Sequence, residues 1–158
     1  MNRKELIESL TTEELQKAYD EKMNSLKTVE TFSEDDFWKI IDEMNYREDL
    51  NYERIRKNLI DLKYGNKQTI KEFRNIFSNL YSKLENNMDK QIEENDLDYE
   101  KIIGLGDSGL SDLLSHIIGI GKIDYYKNFN DVKELSKHAN GKFGSVDGYS
   151  ESFNYIFS

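Results

Sequence analysis

With 158 residues, the chain has the length of one domain and enough bulk to bury a core without cross-links. It carries 31 acidic against 22 basic residues, a net charge of −9, with no cysteine and no proline. The missing cysteines exclude a disulfide framework and a thiolate zinc site. The negative surface opposes nucleic acid, which proteins hold by releasing counterions with Lys and Arg.

The opening residues, "MNRKELIESLTTEEL", are amphipathic and charged, with no apolar stretch of the kind a secretory signal needs. A helix is predicted from "TTEELQKAYDEKMNSL", with Thr11 as N-cap, Glu14 closing a capping box, and Leu15, Ala18, Tyr19, Met23 and Leu26 at spacings of three and four. "SEDDFWKIIDEMN" repeats the device with Ser33 and Asp36, and Phe37, Trp38, Ile40, Ile41 and Met44 form a wide apolar face. "NYERIRKNLIDLKYG" places Ile55, Leu59 and Leu62 on one side and ends at Gly65, suited to the left-handed stop of a helix. "KQTIKEFRNIFSNLYSKLENN" puts Ile70, Phe73, Ile76, Phe77, Leu80, Tyr81 and Leu84 on one stripe.

The acidic stretch "MDKQIEENDLDYEKII" is expected to bridge to a glycine cluster, after which "LSDLLSHIIGI", "KIDYYKNF" and "DVKELSKHA" read as helices. The tail is a loop with Gly141, Gly144 and Gly148, closed by a short helix from Ser150. No run approaches the ~18 apolar residues of a membrane span. The expectation is an all-α, single compact domain of six to eight helices with a glycine-rich C-terminal loop, located in the cytoplasm.

Gly104, Gly106 and Gly109 fit G-x-G-x-x-G, the pattern of a phosphate-cradling turn. That reading needs a strand before the first glycine and a parallel strand after it, and only "YEKII" offers one. Asp107 would oppose a phosphate, and no Gly-Lys-Ser/Thr follows. The simpler reading has Asp107 or Ser108 capping a helix that begins near Gly109, with no cofactor. Asp96, Asp98 and Glu100 alternate as in a calcium loop, yet Lys101 stands at the glycine position and Asp107 at the glutamate position, so no metal is expected. The only histidines, His116 and His138, belong to no zinc pattern; His116 reads as a core or groove residue and His138 as a helix C-terminal cap. No serine sits in a nucleophile elbow, and carboxylate pairs carry no information in so acidic a chain.

The stretch "DSGLSDLLSHIIGIGKIDYYKNFNDVKEL" resembles the bacterial family known as domain of unknown function 4240 (DUF4240). Asp107, Gly109, Leu110, Asp112, Ile117, Ile118 and Gly121 match its hallmark without a gap, Tyr125 and Tyr126 its tyrosine segment, and Asp131 and Leu135 its acidic turn. "FWKIIDE", "TIKEFRNIF" and "ESFNYIF" match its other helices, so the resemblance spans 32–157 and leaves 1–31 as an added helical segment. Leu114 and His116 replace the family's Arg and Trp, and Ser108 interrupts its paired aspartates. The resemblance implies an all-helical cytoplasmic domain and no established activity.

These features favour a non-enzymatic protein-binding role, of the immunity or antitoxin kind, in which an acidic face covers a basic partner surface. Glu93, Glu94, Asp96, Asp98, Tyr99 and Glu100 are the expected contact residues, with Tyr125, Tyr126 and Phe129 as a possible aromatic extension. Two other readings stand beside it. One is an enzyme or small-ligand binder whose pocket gathers Asp107, Asp112, His116 and Tyr125 near the glycine-rich turn. The other is a structural subunit of a homo-oligomer, marked by an exposed apolar patch.

Overall fold

The computed structural model describes residues 12–30, 32–61 and 67–156. It divides into two compact units, Met1–Ser33 and Glu34–Ser158. The expected cap Thr11 and the expected stop Gly65 lie outside the described residues. The first unit contributes α1, Thr12–Glu30. Leu15 and Tyr19, expected to face a core, are 44% and 59% exposed.

The second unit is built from α2 (Glu34–Met44), α3 (Tyr52–Asp61), α4 (Lys67–Glu94), α5 (Tyr99–Ile102), α6 (Asp107–Gly119), α7 (Lys122–Asn130) and α8 (Val132–Ala139). A 3-10 turn, Ser152–Tyr155, follows. No strand occurs among the described residues, and the fold is all-α.

Helix α6 runs through the centre. Every residue from Leu113 to Ile120 is buried, as suits a helix that is apolar on all sides. The 3-10 turn, α4 and α7 pack around it. The predicted face of α2 docks inward, with the Phe37 ring stacked on Phe73 of α4 at 4.5 Å. Trp38, Tyr46, Tyr125 and Phe153 are further large rings of the core. Asn51 starts α3 by accepting from the amides of Glu53 and Arg54.

Two expectations at helix ends are corrected. The segment after Asn87 is not a bridge, because α4 continues to Glu94. Met88 extends the Leu80–Leu84 stripe by one more turn, and neither Gly nor Pro interrupts the hydrogen bonding. Gln91, on that extension, donates to the carbonyl of Phe129 and accepts from the amide of Val132, both at 2.8 Å, which joins the end of α7 to the start of α8. Helix α6 begins at Asp107 rather than near Gly109. Gly106 holds the N-cap in extended backbone, with no side-chain cap, and Asp107 sits in the first turn, where its charge opposes the helix dipole favourably.

The glycine-rich tail is the 140–151 loop, and it crosses itself. A Cβ on Gly148 would collide with the backbone of Lys142, and one on Gly141 would lie 2.7 Å from the Cα of Gly148. Only glycine lets these two backbone passes touch. The final turn is 3-10 from Ser152 rather than a helix from Ser150.

Candidate functional site

The acidic cluster is carried on ordered backbone. Glu93 and Glu94 end α4; Asp96 takes a left-handed conformation at φ 50°, and the amide of Leu97 closes back onto Ile92 at 2.9 Å. Asp98 then caps α5 by accepting from the amide of Glu100 at 3.0 Å. Glu93, Glu94, Asp96, Asp98 and Glu100 are all exposed. Among the described residues, the one ion pair in this group joins Glu94 to Lys90 at 3.8 Å.

Tyr99 is half-buried, and its hydroxyl donates to the carbonyl of Leu105 at 2.7 Å. Its hydroxyl thereby fastens the following turn. Burial raises its phenol above the ordinary value, and the carboxylates of Glu100, Asp107, Asp89 and Glu85 push the same way. Those four come from α4, α5 and α6, so carboxylates outside the expected contact set also surround Tyr99. The aromatic extension does not join it as a unit. Tyr125 is buried and donates to the carbonyl of Leu80, Phe129 stacks on Tyr125, and Tyr126 donates to Glu34 of α2.

Asp107, Asp112, His116 and Tyr125, expected around one pocket, occupy different surroundings. Asp107 is exposed beside α5, and Asp112 accepts from Asn154 of the 3-10 turn at 3.0 Å. Tyr125 is sealed against α4, and His116 is fully buried. The Nε2 of His116 lies 3.1 Å from the carbonyl of Val146, which only accepts, so Nε2 carries the proton. Nδ1 is then the acceptor for the Tyr46 hydroxyl at 2.7 Å. This neutral tautomer satisfies both ring nitrogens, and burial lowers the imidazole from 6.5 to about 4. His138 does not cap its own helix: its Nδ1 donates across to the carbonyl of Gly148 at 2.8 Å. The two histidines, with ring centres 6.1 Å apart, thus fasten the 140–151 loop.

The glycine motif is built differently from a phosphate cradle. Gly104 adopts φ +68° and its amide bonds to Tyr99, ending α5, so this donor is already committed. A helical turn, not a strand, precedes it. No group of three or more metal-ligating side chains assembles among the described residues.

One feature escaped the sequence entirely. A cleft of about 340 Å³ opens between the turn after α2, helices α7 and α8, and the 140–151 loop. Arg47, Asp124, Lys127, Glu134, Lys137 and His138 line it. Arg47 pairs with Asp124 from 77 positions away, a separation that leaves no local pattern to read.

The chain matches no protein-family model, no curated protein and no solved structure. No helix among the described residues is long and apolar enough to cross a membrane.

Proposed function

We propose that this chain is a non-enzymatic, cytoplasmic protein of the immunity or antitoxin kind, which covers a basic surface of a protein partner with its acidic face. The observation that carries the reading is the placement of Glu93, Glu94, Asp96 and Glu100, exposed together on ordered backbone at the end of α4 and in α5. Carboxylates gathered this way, with Asp89 and Asp107 beside them, speed encounter with a Lys/Arg-rich surface and repel acidic competitors. Tyr99 and Leu97, both half-buried, supply apolar contact at the centre of the patch. The resemblance of 32–157 to DUF4240 is part of the same proposal.

The test is affinity capture from the source organism with the chain and with its Glu93→Lys, Glu94→Lys, Asp96→Lys, Glu100→Lys variant, which spares the Asp98 cap. The expected result is a partner held by the parent chain, released by added salt, and absent from the variant at unchanged helicity. An identical set of captured proteins from both would overturn the reading.

A further inference from the structure

The cleft beside the 140–151 loop differs in charge from the rest of the chain. Arg47, Lys127 and Lys137 stand there against Asp124, Glu134 and the loop residue Asp147, so the cleft is formally neutral in a chain of net charge −9. Asp147 is exposed, whereas the two carboxylates that pair with the cations lie deeper than those cations. The side chains of Asp124 and Glu134 are each 22% exposed, whereas those of Arg47, Lys127 and Lys137 are 52%, 60% and 71% exposed. Among these paired groups the cationic heads are the more accessible, and an entering ligand meets them before Asp124 and Glu134.

Arg47 is matched by Asp124. The two lysines share a single partner: Lys127 lies 3.5 Å from one oxygen of Glu134, and Lys137 lies 2.9 Å from the other. Two ammonium groups thus share one carboxylate, so Glu134 fully satisfies neither, while the exposed Asp147 balances the formal charge of the cleft. His138, on the same wall, commits its Nδ1–H to the carbonyl of Gly148.

We propose that this cleft binds a small oxyanion, a phosphate or a carboxylate, between Lys127 and Lys137, with Glu134 as the resident competitor for the two lysines. The arrangement suits such a ligand because ammonium groups are strong, adaptable donors to phosphate and carboxylate oxygens. The site is independent of the acidic face and uses none of its residues.

Amide NMR titrations with inorganic phosphate and with acetate, each against sodium chloride at matched ionic strength, test it. Saturable shifts confined to residues around 122–147 are expected with at least one oxyanion and not with chloride. The tighter of the two arms identifies the ligand class. Lys137→Gln should weaken binding about tenfold, the loss of one charge-assisted contact. Glu134→Gln should instead tighten it severalfold, because both lysines are released to the ligand. Shifts that stay linear and equal those of chloride overturn the proposal. So does saturable binding that ignores both substitutions, which would place the anion elsewhere.

Discussion

The buried His116 makes a quantitative pH prediction. In the fold its Nδ1 accepts from Tyr46 and its Nε2–H donates to Val146, so adding a proton removes the acceptor and places a charge at a site with no solvent access. Its folded value is about 4 against 6.5 for the free side chain. The unfolded chain therefore takes up this proton first. The stabilisation is complete above pH ~6.5 and is lost as pH falls toward 4. A separation of roughly 2.5 units corresponds to about 3 kcal/mol in all, most of which is gone by pH ~4.5.

Urea unfolding followed by circular dichroism at several pH values measures the loss, and His116→Gln isolates it. Glutamine keeps an N–H and an oxygen but does not titrate, while the carboxylates common to both chains cancel in the difference. The variant should begin about 1–2 kcal/mol less stable at neutral pH. Its deficit should then shrink and reverse by pH ~4.5. A difference that stays constant across this range, or an NMR titration of His116 centred near 6.5, would refute the neutral, hydrogen-bonded assignment.

Two further substitutions probe the backbone. Gly148→Ala forces a methyl group against the Lys142 backbone, so thermal unfolding should show a loss of about 2 kcal/mol or more, with faster proteolysis of the 140–151 loop. Gln91→Ala removes its two bonds at the α7–α8 junction while Asn87 still donates to Phe129; about 1–3 kcal/mol should be lost in urea, and faster amide exchange at Val132 would report the orphaned donor.

Where neighbours along the chain decide the structure, the sequence was readable. The spacing in α2 anticipated Phe37, Trp38, Ile40, Ile41 and Met44, all of which are buried. The end of α4 was misread because its exposed face is acidic there, and that surface drew attention from Met88, the residue that prolongs the core stripe. On α1 the apolar spacing was real, yet spacing alone does not say whether a face is covered, and Leu15 and Tyr19 are exposed. Partners distant in sequence were invisible. Tyr46 meets His116 across 70 positions, and the cleft collects its charges from four separate segments.

The acidic face also bears on how stability and binding are divided within this fold. Like charges brought close together raise the energy of the folded chain, and around Tyr99 the carboxylates add to burial in raising its phenol. The fold holds them in place by other means: the Asp98 cap, the Tyr99–Leu105 bond, and the buried stripe that carries α4 out to Glu94. Each of those devices fixes backbone that bears the carboxylates, rather than neutralising the charge itself. A flexible acidic tail would relieve the repulsion by spreading out, and would then lose that freedom on meeting a basic surface. Carboxylates fixed on helix ends avoid that loss, because their backbone is already ordered before encounter. The repulsion is thus a standing cost of the free protein that a complementary partner would remove on binding.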